Sequence, residues 1–226
     1  QIRNQGTIGG NISQDTRCWY YRDGWTCYRA GGNICYASPP TAMNREHCIL
    51  GASRCVAVNP SDTAPVFVAL EAEMVVRRGS AERVIPAEEF FVGPETDIER
   101  MTVLEPGDLL MSIRVPSKWA GARVYFEKVR DRDTWDFPLV NVATAIQESG
   151  GTIQDARVVV NGVAPTPVRL TAVENAIRGQ SMNEQTAENA GTIATQGTAP
   201  LTHNGFKVNL LKNLVKRSLR DEPMTA

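Results

Sequence analysis

Five cysteines, at positions 18, 27, 35, 48 and 55, carry the most distinctive chemistry in this 226-residue chain. They fall within 38 residues, and none occurs in the 171 that follow. An odd number crowded toward one end does not suit a disulfide framework, which usually takes an even count in a short secreted domain. A local ligand cluster suits it better. Structural zinc draws its thiolates from tight Cys-x2-4-Cys pairs, whereas the gaps here are eight, seven, twelve and six residues. Single cysteines on separate turns of a loop are the donor pattern of an iron–sulfur cube, which needs four thiolates arriving from different directions. Zinc and unliganded thiols stay open as alternatives on spacing alone.

Other residues could meet a phosphate or a ring. Thr7-Ile8-Gly9-Gly10-Asn11 reads as a tight small-residue turn, whose glycines let backbone N–H groups approach a pyrophosphate or ring while Thr7 and Asn11 add polar contacts. Ser61-Asp62-Thr63 precedes the apolar run Ala64 to Leu70, with Pro65 near its start, which is a helix N-cap signature. Such a helix start can also meet ribose or phosphate oxygens. Glu127 to Asp133 is a dense charge run leading into Trp135-Asp136-Phe137-Pro138. It reads either as solvated ion pairs at a strand end or as Lys128 placed near an anionic group with Phe137 beside it. His47 and His203 have no nucleophile partner in sequence, and no Gly-x-Ser-x-Gly or Walker pattern occurs, so hydrolase and kinase chemistry fail here.

The elements that must position these residues follow from patterning. Gly24, Gly31, Gly32, Pro39 and Pro40 interrupt any long helix or strand between Cys18 and Met43. Trp19, Tyr20, Tyr21, Trp25, Tyr28 and Tyr36 share that stretch. They can keep water from a cluster or form a mini-core for a long loop. Beyond the helix after Thr63, Glu73 to Arg78 reads as a strand ended by Gly79. A polar stretch at 95–107 with Pro94, Pro106 and Gly107 marks a boundary. After it, Leu109 to Val115, Arg123 to Arg130, Leu139 to Gln147 and Ala156 to Asn161 have strand character. Val168 to Arg178, Glu184 to Thr195 and Phe206 to Leu219 read as helices, the last with apolar residues recurring at three and four. The fold class is α+β.

Composition bounds the function. Apolar residues at 42% and charged residues at 22% are ordinary for a globular core. Twenty-four Lys plus Arg against 25 Asp plus Glu leave a net charge of -1, which excludes a general nucleic-acid binder. No apolar run approaches the roughly 20 residues of a membrane span, and no signal segment is evident. The chain starts at Gln1 rather than Met, which reads as processing or as part of something longer.

In order, these residues resemble the flavoprotein (medium) subunit of the molybdenum hydroxylases, the xanthine dehydrogenase and carbon monoxide dehydrogenase family. Gln1 to Asn11 is similar to that family's second flavin motif, and Ser61-Asp62 with its following helix to a later flavin contact. Leu109 to Pro116 looks like the first strand of the family's C-terminal domain; Phe126 to Arg130 and Asp136-Phe137 resemble the strand and turn that reach toward the isoalloxazine. The cysteine loop resembles that of two branches with an extra [4Fe-4S] cluster, the 4-hydroxybenzoyl-CoA reductases and the bacterial aldehyde oxidoreductases. Cys48 has no counterpart there. The resemblance implies FAD on Thr7, Ile8, Gly9, Gly10, Asn11, Ser61, Asp62, Leu110, Lys128 and Phe137, and a cube on Cys18, Cys27, Cys35 and Cys55. It also implies two domains: residues 1–100, the second part of a flavin domain of the kind shared with vanillyl-alcohol oxidase and para-cresol methylhydroxylase, with the cluster loop at about 15–58, and residues 101–226, an α+β C-terminal domain. The expected partners are a large molybdopterin subunit and a small subunit with [2Fe-2S] clusters. No Ala-Gly-Gly-Thr-type first motif is present: either that part lies on another polypeptide or was lost, or this chain does not bind flavin alone. The expected compartment is the cytoplasm, or the periplasm by export with a partner. The rival reading is a non-catalytic zinc-stapled scaffold.

Overall fold

A computed structural model describes residues 5–220. The Gln1–Asn4 part of the Gln1–Asn11 flavin motif and the last six residues of the expected C-terminal domain lie outside that range.

Two antiparallel sheets organise the chain. The first has the order β2-β1-β3, with β1 Glu73–Arg78, β2 Ala81–Pro86 and β3 Leu109–Arg114. The second has the order β4-β5-β6-β7, with β4 Arg123–Val129, β5 Val140–Ser149, β6 Thr152–Asn161 and β7 Val168–Arg169. Among the described residues six α-helices accompany them: α1 Ile8–Ile12, α2 Trp19–Arg22, α3 Ala64–Ala69, α4 Thr171–Ile177, α5 Glu184–Ala194 and α6 Phe206–Ser218.

The second sheet is covered on both faces, and this explains its composition. On β5 and β6 the side chains of Val140, Val142, Ile146, Ala156, Val158 and Val160 pack against Val173, Ile177, Ala187, Ala190, Leu211 and Leu214 of α4 to α6. Ala143 and Val159, pointing the other way, join Ala64, Val68, Met74, Val76 and Phe90 of the first unit. A strand buried on both sides loses the apolar–polar alternation and reads as a continuous apolar run. The flavin-motif segment and the C-terminal unit therefore share a core.

Three elements differ from the sequence reading. Leu109–Arg114, expected as the first strand beyond the boundary, pairs with β1 and completes the first sheet. The 95–107 stretch is a connection within that sheet, because the partner strand supplies what local polarity cannot report. Strand β2 was not anticipated: its residues are mostly exposed, so it lacks an apolar stripe, although Gly79 turns it back onto β1 as a hairpin. The segment read as a helix from Val168 begins as a strand pairing with β6, and the helix starts at Thr171.

Candidate functional site

The Thr7–Asn11 motif forms not an open turn but a single helical turn. Thr7 is its N-cap, with Oγ1 accepting the Gly10 amide at 3.0 Å. A Cβ built on Gly9 meets nothing within 4 Å, so this glycine faces open space from which a ligand could reach the backbone. Asn11 turns inward. Its Oδ1 accepts from Ser61 Oγ at 2.7 Å and from Thr63 Oγ1 at 2.8 Å, tying the first motif to the second. Ser61 is fully buried, and its Oγ also accepts the Ala64 amide at 3.0 Å, so it caps α3 from three residues upstream. Asn11 and Ser61, expected as cofactor contacts, spend these groups holding the two motifs together.

Asp62 and Lys128 make the charged pair of this region. Lys128 Nζ donates to Asp62 Oδ2 at 2.7 Å and to the Asp136 carbonyl. The other Asp62 oxygen is shielded and has no partner. The rest of the charge run goes elsewhere: Glu127 pairs with Arg217 at 2.8 Å, and Asp131 takes a two-pronged bond from Arg45 at 2.6 and 2.8 Å. Lys128 is thus not a solvated partner of Glu127 or Asp131. The Asp136 carboxylate accepts the amides of Asp131, Arg132 and Phe137, which shapes the turn below Lys128. Phe137 is half exposed, with the Arg17 guanidinium 5.3 Å above its ring. Leu110, on β3, packs into the first core and is linked to the other flavin candidates only through the fold.

The cysteine loop builds a cavity. Cys18, Cys27, Cys35 and Cys55 all line it, together with Tyr20, Tyr21, Arg29 and Tyr36, and its empty space is about 280 Å³ including its open mouth. Cys48 does not line it. That thiol is fully buried against Ala37 and Val56, and burial pushes it up to about 12. Among the described residues, no three His, Cys, Asp or Glu side chains converge closely enough to grip a single metal ion. Four thiols standing around a void fit a polynuclear cluster instead. Burial raises the Cys18 thiol to about 11, opposed by the backbone amides of Tyr21 and Tyr20. Burial also raises Cys55, opposed by the Ala57 amide. Such N–H groups stabilise a thiolate once a metal takes the proton's place.

Local packing explains the loop's shape. Tyr20, Trp25 and Tyr36 form an aromatic triad, with ring centroids 5.2 Å (Tyr20–Trp25) and 4.8 Å (Trp25–Tyr36) apart, edge to face. Tyr20 and Tyr36 thus wall the cavity, and with Trp25 they brace the loop. Gly32 is obligatory, because a Cβ there would lie 2.0 Å from the Thr26 carbonyl oxygen. The loop is then clamped to the C-terminal unit by residues that the motif search missed. Asn204 Nδ2 donates to the His47 and Cys48 carbonyls at 3.0 and 3.1 Å. Lys207, fully buried, donates to the carbonyls of Glu46, His47 and Gly162 at 2.8, 3.1 and 2.9 Å. Sequence spacing held no signal for these contacts, since their partners lie some 150 residues away.

Beyond Cys18 lies a second cleft of about 540 Å³ including its open mouth, lined by Arg17, Trp19, His47, Pro60, Asp136 and Phe137 among others. Cys18 borders both cavities. His47 Nε2 sits 3.2 Å from its sulfur. Cys18 thus borders both the cysteine cavity and the cleft that holds Phe137.

Residues 1–118 match the family described as FAD binding domain in molybdopterin dehydrogenase, and residues 124–221 match the CO dehydrogenase flavoprotein C-terminal domain. The chain belongs to the FAD-binding medium subunits of the molybdenum hydroxylases. It is 33% identical to the aldehyde oxidoreductase FAD-binding subunit PaoB of Escherichia coli K12, over 98% of this chain and 67% of that protein. It is 27% identical to the carbon monoxide dehydrogenase medium chain of Hydrogenophaga pseudoflava, over 97% of this chain and 61% of that one. A solved structure of carbon monoxide dehydrogenase from H. pseudoflava superposes with a TM-score of 0.62 at 30% identity, covering 71% of this chain and 55% of that chain. The chain thus spans about two thirds or less of the length of these relatives. The open face of Gly9 and the unpartnered oxygen of Asp62 fit a flavin cofactor, and the four-thiol cavity fits a cube. No helix among the described residues is long and apolar enough to cross a membrane.

Proposed function

We propose that this chain is the FAD- and [4Fe-4S]-binding electron-transfer subunit of a molybdopterin-dependent aldehyde or aromatic oxidoreductase. Substrate chemistry would take place on a large molybdopterin partner, with a small [2Fe-2S] partner relaying electrons. The observation that carries the cluster is the cavity lined by Cys18, Cys27, Cys35 and Cys55 but not by Cys48. FAD would supply the step between two-electron and one-electron chemistry, and the cube a further one-electron port.

The chain's own residues do the positioning. Thr7 and the open Gly9 backbone present amides to the cofactor's polar part. Asn11, Ser61 and Thr63 hold that turn against the start of α3. Lys128, anchored by Asp62 and the Asp136 carbonyl, keeps a cation beside the Asp136-Phe137 turn. Tyr20, Tyr36, Ala37, Val56 and Ala57 exclude water from the cluster wall. Cys18, bordering both cavities, would link the cluster to the flavin side.

Iron and acid-labile sulfide assays on single Cys→Ser variants test the reading. Cys18, Cys27, Cys35 and Cys55 variants should lose or convert the cluster, and Cys48→Ser should keep full iron. Full iron in Cys55→Ser with loss in Cys48→Ser would reassign the fourth ligand. Colourless protein that carries zinc would replace the electron-transfer reading by the scaffold.

A further inference from the structure

Arg29 lies two residues beyond Cys27, in the short 3-10 turn Tyr28–Ala30. Its side chain is only 1% exposed. It is the one cation among the residues that wall the four-thiol cavity. A guanidinium taken out of water this completely is costly unless an anion and hydrogen bonds compensate it. The compensation within the chain is incomplete. Nη1 donates to the Glu99 carbonyl at 2.8 Å and stands 3.7 Å from Asp15 Oδ1, a carboxylate whose own side chain is 37% exposed and shares its charge with water. Nε is buried with no partner at all. Arg29 is also the cation that the Cys55 thiol senses, against the burial that raises that thiol.

We propose that Arg29 is the charge partner of the cluster: its buried guanidinium balances the anionic four-thiolate cube, offers its free Nε–H to it, and favours the reduced state. The inference rests on the reading that a cube fills this cavity. One-electron reduction adds one negative charge to the cluster, the electron coming from the flavin of the same chain, and no bond is made or broken. A fixed cation beside the cluster stabilises the reduced form more than the oxidised one and so raises the midpoint. Because the guanidinium is out of water, added salt screens this interaction little. Arg17, Arg45 and Lys207 do not wall the cavity, so none of them substitutes for it.

The test uses the complex as purified, comparing wild type, Arg29→Lys and Arg29→Gln. Iron and sulfide per chain are measured first, then the [4Fe-4S] midpoint by titration followed by electron paramagnetic resonance at low and high salt. Arg29→Gln should keep iron and shift the midpoint downward at both salt levels, with Arg29→Lys between it and wild type. Loss of iron in Arg29→Gln with retention in Arg29→Lys also supports the charge role, since the two differ in charge. An unchanged midpoint in an iron-replete Arg29→Gln overturns the proposal. So does loss of iron in both variants, which would make Arg29 a packing residue held by its bond to Glu99. Wild type without a [4Fe-4S] signal would instead overturn the proposed function, and the two failures are distinct.

Discussion

The Lys128–Asp62 pair gives a direct handle on how the two halves of the candidate flavin site are joined. Lys128→Met keeps the stem's packing and removes the ammonium, which donates to Asp62 Oδ2 at 2.7 Å and to the Asp136 carbonyl. A net hydrogen bond involving a charged group contributes about 1.5–3 kcal/mol. The Asp62 side chain is 36% exposed and regains water once freed, which brings its share down to about 1 kcal/mol or less. The Lys128 side chain is only 15% exposed, so the bond to the carbonyl keeps about 1 kcal/mol. Lys128→Met should therefore cost about 2 kcal/mol, or about 4–8 °C in melting temperature for a chain this size. Asp62→Asn, which leaves an oxygen acceptor and the second bond, should cost about half of that. The assay is a double-mutant cycle by urea unfolding, with a coupling energy of about 1 kcal/mol expected between the sites. Costs that add within about 0.5 kcal/mol would refute the pairing. The flavin midpoint supplies the sign. Lys128→Met leaves an uncompensated anion and should lower it, Asp62→Asn leaves an uncompensated cation and should raise it, and shifts in the same direction would sink the reasoning.

Three further outcomes are expected. Gly9→Ala sits in a helical turn with open space beyond it, so stability should hold or rise by about 0.5–1 kcal/mol; FAD affinity measured by isothermal titration should fall, and unchanged affinity would place the cofactor elsewhere. Gly32→Ala drives a Cβ into the Thr26 carbonyl and should strip iron from the loop, while far-UV circular dichroism of the remainder persists; full iron retention would contradict the loop geometry. Burial lowers Lys207 from 10.5 to about 7, so between those pH values the unfolded chain holds the extra proton and stability rises with pH. Lys207→Met should flatten that rise, and parallel pH–stability curves for the two proteins would count against it.

Much of this protein is legible in its sequence because the relevant signals are local. Five cysteines on a glycine- and proline-broken loop present a candidate donor set whatever the rest of the fold does. The Ser61-Asp62-Thr63 cap, the β4 to β6 strands and α5 and α6 follow from capping chemistry and apolar periodicity, which act over a few residues. The motif order from Thr7 to Phe137 was enough to point to the family that the family matches then showed.

What only the tertiary structure decided are pairings across long stretches of chain. Whether Leu109–Arg114 belongs to the first or the second sheet depends on which strand edge it meets, and β1 lies over 30 residues upstream. Lys128 lies in a seven-residue run of mixed charge, Glu127 through Asp133, yet folding selects Asp62, 66 residues away, as its partner and sends Glu127 to Arg217 and Asp131 to Arg45. Asn11 and Ser61, which as residue types suit a cofactor, are turned inward to each other because the two motifs need a polar joint where water is excluded. Arg29 carries no mark in the sequence, and only the closed loop takes its side chain down to 1% exposure. Charge and polarity in a sequence state what a side chain can bond; burial and the approach of distant backbone decide which bond it makes, since only there does an unpaired group become costly.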